Sequence, residues 1–302
     1  MTIPFIKYSK FLLVFSALVT ITCVAFLAMW GLKPGIDFTS GSLMEVTFNT
    51  RPENEELKQV FDTIGLKNTF FQKTGDKAVI IRTDFLSEEE HQSVLAGLSK
   101  KFAVGDNIVH EDRFETIGPA ISKQLKSRSL WAIIMVNLGI IGYVAYAFRK
   151  VSRPVASWKY GALAIVALFH DVLLVMGVFS FLGRFYGIEV DTAFVVAILT
   201  VLGYSVNDTI VVYDRIRENL LRHSADSFAE VVNIGLNQTL MRSINTTFKT
   251  MLPLFALFFL GGFSIHYFAL ALLIGIASGA YSSVFIASPL LVVVYKWQER
   301  RA

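Results

Sequence analysis

The chain has 302 residues, 54% of them hydrophobic and 17% charged, with a formal net charge of +4. A soluble domain carries about 25% charged residues, so this composition excludes an ordinary soluble protein and points to a bilayer. The positive balance does not mark a nucleic-acid surface, because the one long polar insert is acidic and the excess cations flank apolar segments.

A membrane crossing needs about 20 apolar residues. Six segments qualify, at 11–32, 130–148, 160–182, 192–213, 243–263 and 267–295. The last is longer than a crossing requires and predicts tilt, or an end that emerges beyond Pro289. The apolar stretch before Trp30 is too long for a signal-peptide core, and no small-residue cleavage site precedes Lys33, so it reads as a retained anchor. The single cysteine, Cys23, lies in this first span and excludes an intrachain disulfide.

Orientation follows from the cations beside the spans. Lys7 and Lys10 precede the first, Arg149, Lys150, Arg153 and Lys159 join the second to the third, Arg215, Arg217 and Arg222 follow the fourth, and Lys296, Arg300 and Arg301 close the chain. Of the opposite short loops, one holds Arg184 and the other, around 262–266, has no Lys or Arg. Both termini are therefore expected in the cytoplasm, with the insert at 33–129 outside it. The chain divides into residues 1–32 (N-terminus and first span), 33–129 (exported domain), 130–296 (five-helix bundle) and 297–302 (cytoplasmic tail).

The insert carries 13 Lys/Arg against 15 Asp/Glu. Residues 43–49 alternate as a strand, and 52–64 read as a helix with Leu57, Val60, Phe61 and Ile64 on one face. Residues 70–73 and 78–82 form a hairpin around Gly75-Asp76. Ser87 with Glu90 makes a capping box for a helix over 87–102, and 108–117 is a final strand. The order β-α-β-β-α-β is that of a ferredoxin-like α+β fold. His91 and His110 are solitary, and no nucleophile–base pair or metal cluster can be assembled, so this domain is expected to make contacts rather than perform chemistry.

The spans carry the chemistry. An aspartate inside a membrane helix costs roughly 3 kcal/mol on insertion scales and by default suggests ion or proton movement. In the fourth span Thr200, Tyr204 and Asp208 recur every four residues on one polar face, with Asn207 adjoining it. The competing possibility is an Asp208 wetted near the helix end or paired with Arg215. In the third span His170-Asp171 lies about eleven residues, roughly 16 Å, from the cytoplasmic flank, and His170 alone could satisfy Asp171. The fifth span continues with Thr239, Arg242 or Ser243, Thr246 and Thr250. Gly275 and Gly279 give the sixth a small face for close packing. Two acids and an arginine on neighbouring helices could hold and release a proton, or only lock the helices. The chain lacks a G-x-x-x-x-G-K-[ST] sequence, so energy would come from an ion gradient or a partner.

GIDFTSG at 35–41, HDV at 170–172, EVDTAF at 189–194 and GYSVNDTIVVYDRIREN at 203–219 resemble the SecF proteins of the SecD/SecF protein-export family. So do LPLFALFFLGG at 252–262 and FALALLIGIASGAYSSVFIASP at 268–289. The resemblance covers essentially the whole chain. It implies a place in the resistance-nodulation-division superfamily: a multi-pass inner-membrane protein, not an enzyme, without cofactor or metal. Its partners would be SecD, the SecYEG channel, YajC as a further candidate, and the unfolded exported polypeptide. It implies that proton-motive force promotes export, that Asp208 takes part in proton passage and that Arg242 is its charged partner. Asp171, Asn207, Thr209, Asp37 and Thr246 are secondary candidates. Two residues depart from the expected pattern. Ser40 stands where the family's D-F-T-G-G has its first glycine, and because serine reaches positive φ with difficulty, the turn after Asp37 is expected to differ. Lys249 lies in the fifth span, where it would tune Asp208 or face water. An intramembrane aspartyl protease is disfavoured, since neither aspartate has a Gly-x-Gly-Asp context. Half of a small-molecule exporter from the same superfamily, and a passive scaffold for the translocase, compete with the proton-driven role.

Overall fold

The computed structural model describes residues 3–104, 107–147, 155–222 and 224–300. Arg149, Lys150, Arg153 and Arg301 of the predicted cytoplasmic flanks lie outside the described residues. The chain divides into two units, one of Met1–Lys33 with Trp131–Ala302 and the other of Pro34–Leu130. In chain order α1 (Ser9–Trp30) leads to a short helix α2 (Ile36–Thr39), β1 (Gly41–Phe48), α3 (Asn54–Ile64), β2 (Phe70–Thr74), β3 (Ala78–Thr83), α4 (Glu88–Phe102) and β4 (Val109–Ile117). Then come α5 (Pro119–Ala147), α6 (Ser157–Tyr186), α7 (Thr192–Leu221), α8 (Phe228–Leu260), α9 (Phe263–Ser282), a π-helical turn at Ser283–Ala287, and α10 (Ser288–Glu299).

The smaller unit is a four-stranded antiparallel sheet in the order β2-β3-β1-β4, accompanied by α3 and α4. Strand alternation sends Met44, Val46 and Phe48 of β1 into the core, where Leu57, Val60 and Phe61 of α3 meet Val94 and Leu98 of α4. Ser87 and Glu90 form the reciprocal cap of α4, and Glu53 and Glu56 do the same for α3. His91 is engaged: its Nε2 lies 2.7 Å from Glu111, and its ring stacks on Phe114 at 3.7 Å, tying α4 to β4.

Ser40 takes φ 65° and ψ 165°, a region almost reserved for glycine. A side chain at Gly41 would place its Cβ 2.7 Å from the Thr83 carbonyl oxygen, so β1 starts only if the second small residue is glycine. Ser40 holds this conformation at a cost in strain.

Among the described residues, six helical segments are long and apolar enough to cross a membrane: Phe5–Trp30, Pro119–Ala147, Trp158–Tyr186, Thr192–Leu221, Phe228–Leu260 and Ile265–Glu299. The helices overrun the apolar windows. The second begins at Pro119, a residue suited to a first helical position, and the fifth at Phe228 behind the Ser227 cap. Hydropathy locates the apolar portion of a helix and is blind to its polar extensions.

In the larger unit, glycines allow close crossings. A Cβ at Gly275 of α9 would lie 2.1 Å from Val201 of α7, and one at Gly177 of α6 would lie 2.4 Å from Cys23 of α1. Pro289 lies within the last helix, which runs on to Glu299. It lacks the N–H that would bond the carbonyl four residues earlier, and a π turn occupies the preceding positions. The Ser288 hydroxyl donates to the Ser283 carbonyl at 2.9 Å, and the Tyr213 hydroxyl to the Ala287 carbonyl at 3.0 Å.

Candidate intramembrane site

Asp171 sits in the middle of α6 with none of its surface exposed. Its Oδ2 accepts from Ser205 of α7 at 2.5 Å and from Ser282 of α9 at 2.6 Å. Its Oδ1 accepts from Ser278 of α9 at 2.6 Å and lies 3.1 Å from His170 Nδ1. His170 therefore contacts the aspartate as expected, but serines from two other helices do most of the solvating.

Asp208, 9% exposed, occupies α7 one turn beyond Ser205. Its Oδ1 accepts from Ser243 of α8 at 2.8 Å and its Oδ2 from Ser283 of the π turn at 2.7 Å. The widened turn begins at the residue that reaches Asp208, and such turns are frequent at functional sites. Ser282 and Ser283 are consecutive, yet each serves a different carboxylate. Burying an anion is tolerable only where hydrogen-bond donors replace its water, and here the donors are mostly hydroxyls.

The expected pairing of Asp208 with Arg242 is absent among the described residues. Arg242 is exposed, and Asp208 instead meets the next residue, Ser243. Two faces of α8 explain the difference. Thr239, Ser243 and Thr247, spaced four apart, are buried, whereas Arg242, Thr246 and Lys249 are exposed on the other side. The Thr246 hydroxyl donates to the Arg242 carbonyl at 2.8 Å, and that of Thr250 to the Thr246 carbonyl at 3.0 Å. The pairing of Asp208 with Arg215 is likewise not formed: Arg215 binds Glu218, and its Nε donates to Gln238 at 2.7 Å.

The remaining residues fall around this pair. Thr209 is buried and donates to the Ser205 carbonyl at 3.3 Å, while Asn207 is exposed. The Tyr204 hydroxyl donates to Thr247 at 3.5 Å, a long bond between α7 and α8. Asp37 lies in the first turn of α2, in the other unit. Ser205, Ser278, Ser282 and Ser283 are not evident from the sequence as site residues. Their spacing in apolar spans was the available signal, since 278 and 282 are one helical turn apart.

Six apolar helices around buried carboxylates, with an α/β unit inserted after the first, define a polytopic membrane protein with intramembrane acidic sites. Residues 98–297 match the family described as "Protein export membrane protein SecD/SecF, C-terminal", and residues 26–50 match the SecD/SecF GG motif. The chain is 42% identical to the protein translocase subunit SecF of Thermobaculum terrenum, over 97% of this chain and 93% of that protein. It is 38% identical to that of a Synechocystis species, over 95% and 92%. It is also similar to the crystal structure of SecDF, a translocon-associated membrane protein from Thermus thermophilus, with TM-score 0.82 and 32% identity. That match covers 99% of this chain but 39% of the SecDF chain. The chain belongs to the SecD/SecF protein-export membrane protein family.

Proposed function

We propose that this chain is the SecF-type half of a proton-driven auxiliary to the Sec translocase, working with a SecD-type subunit to promote export of unfolded polypeptide. The observation that carries the reading is Asp208, buried inside a helical membrane unit and held, among the described residues, by the hydroxyls of Ser243 and Ser283. The family membership supports the same conclusion. SecYEG and YajC are the further partners in this reading. Both termini are in the cytoplasm and the Pro34–Leu130 unit is outside it. That unit is ferredoxin-like, a reading supported by its strand order and wholly antiparallel pairing.

The geometry suggests a coupling step. An ionised Asp208 accepts a hydrogen bond from each serine. When it binds a proton it becomes a donor at one oxygen, so one serine must turn its hydroxyl or leave. Ser243 belongs to α8 and Ser283 to the π turn, so protonation loosens α7 from one of these neighbours. Arg242 enters from the other side: an arginine exposed on a membrane helix needs cover, and the partner subunit supplies it in this proposal. Thr246, which binds the Arg242 backbone, belongs to the same face. Asn207, Thr209, Asp37 and Asp171 are supporting positions.

The test uses inverted vesicles carrying the translocase, this chain and its SecD-type partner. Completion of a stalled preprotein after ATP removal is expected to follow an imposed proton gradient in the native protein and to lose that dependence in Asp208→Asn. Equal gradient-driven completion in the variant would reduce Asp208 to a packing residue and leave a scaffold.

A further inference from the structure

Asp208 takes its donors from two elements, Ser243 of α8 and Ser283 of the π turn, and one short segment ahead of α1 grasps both elements. Residues Phe5–Tyr8 form a 3-10 turn that runs directly into α1 at Ser9. Phe5 is buried, and its ring meets that of Phe285 in the π turn edge to face at 5.9 Å. Toward α8, the Ile3 N–H donates to Asn237 Oδ1 at 2.8 Å, and Asn237 Nδ2 donates back to the Ile3 carbonyl at 2.9 Å. The Ile6 N–H donates to Asn233 Oδ1 at 3.4 Å.

A side-chain amide carries both a donor and an acceptor, so Asn237 matches the N–H and C=O of one residue whatever its side chain. The second amide hydrogen of Asn237 goes to the Asn233 carbonyl at 2.8 Å, which fixes the rotamer that faces Ile3. Asn233 and Asn237, four residues apart, share one face of α8. Asn237 stands about 9 Å along that helix from Ser243, and Phe285 lies in the same widened turn as Ser283. The rest of α1 is fastened elsewhere. The Ser180 hydroxyl of α6 donates to the Phe26 carbonyl at 3.0 Å, and the hydroxyls of Ser16 and Tyr281 of α9 are 2.9 Å apart. The segment ahead of α1 adds α8 to that set.

We propose that Ile3–Tyr8 is a coupling strap, with Asn237 as its positioning residue, that binds α8, the π turn and α1 into one moving body. Release of either serine by Asp208 then shifts both donor elements and α1 together against α7. Without the strap α8 shifts alone, and the movement does not reach α1, the helix whose chain continues into the Pro34–Leu130 unit. The mechanical link stands on the contacts of Ile3, Phe5 and Ile6. Its effect on export rests on the proton-driven reading of Asp208.

Gradient-driven completion of a stalled preprotein, in inverted vesicles carrying the translocase, the full chain and its SecD-type partner, reads the effect on export. Asn237→Ala is expected to slow completion about fivefold, the scale of one net hydrogen bond, with the amount of protein in the membrane unchanged. Restoring the link covalently is expected to restore the rate. Ile3→Cys with Asn237→Cys, in a Cys23→Ala background, is slow as the free thiols, recovers when a short reducible cross-linker joins them, and slows again on reduction. A native rate in Asn237→Ala, or a cross-linked double variant that stays slow, overturns the proposal. Spin labels at the exposed positions Lys10 of α1 and Glu230 of α8 read the strap without export. Their distance distribution is expected to broaden in Asn237→Ala, and an unchanged distribution also overturns the proposal. Gradient-driven completion that survives Asp208→Asn, alongside that broadening, removes the proton-driven reading and leaves the strap standing.

Discussion

At the scale of single residues, the site turns on which of two neighbours faces inward. Arg242 and Ser243 differ by one position, about 100° around the helix, and the inward one is the serine. A serine offers a hydroxyl whose proton can be turned, so it serves both charge states of a carboxylate, whereas an arginine serves only the anion. The hydroxyl enclosure has a measurable worth. Ser282→Ala removes one donor from fully buried Asp171 and is expected to destabilise the protein by about 1.5–3 kcal/mol, the range for hydrogen bonds to charged groups. A thermal melt of the purified protein against native reads this, and an unchanged melting temperature would remove Ser282 from the enclosure. Ser40 predicts the opposite sign. It holds φ 65° at strain, so Ser40→Gly is expected to stabilise the Pro34–Leu130 unit by about 1 kcal/mol. Hydrogen exchange in β1 would slow if that is right.

At the scale of elements, the π turn is the feature that hydropathy could not reveal. Residues 267–295 look like one long apolar span that tilts or emerges beyond Pro289. The structure carries the helix through Pro289 by widening the turn at Ser283–Ala287, because proline removes a single backbone donor and one inserted residue absorbs the mismatch. That turn presents Ser283 to Asp208. Pro289→Ala restores the donor and lets the segment close to an α-helix, drawing Ser283 away. Gradient-driven preprotein completion is expected to fall severalfold while the amount of protein in the membrane stays the same. Native activity in this variant would show that the π turn is incidental. The Gly275 crossing, by contrast, was legible, since small residues four apart in an apolar span leave few other roles.

At the scale of the whole molecule, the chain leaves apolar and charged surface uncovered. Within residues 131–147 of α5 only Val144 is buried, and α8 exposes Arg242, Lys249, Phe248 and Leu252. Apolar surface of this kind suits lipid; two cations in a crossing helix do not. The solved SecDF chains contain well over twice the residues this chain matches, and under the proposed function the SecD-type subunit covers this surface. Arg242→Ala should weaken association with the SecD-type subunit by about thirtyfold or more, the loss of a paired charge at an interface being worth about 2–5 kcal/mol. Co-purification at graded detergent concentration measures it, and undiminished recovery of the pair would direct Arg242 elsewhere.

The sequence by itself determined the number of apolar crossings, the α/β insert with its capped helix and hairpin, and the two aspartates as the costly residues. Each rests on local chemistry: apolar length, alternation, capping spacing, and the cost of a carboxylate in hydrocarbon. Only the tertiary structure decided what those carboxylates touch. Asp171 draws its donors from positions 170, 205, 278 and 282, and Asp208 from 243 and 283. Serine is small, uncharged and common in membrane helices, so its presence announces nothing until packing brings its hydroxyl within 3 Å of a charge. The same applies to the π turn, whose Ala287 carbonyl is met by the Tyr213 hydroxyl from a distant part of the chain.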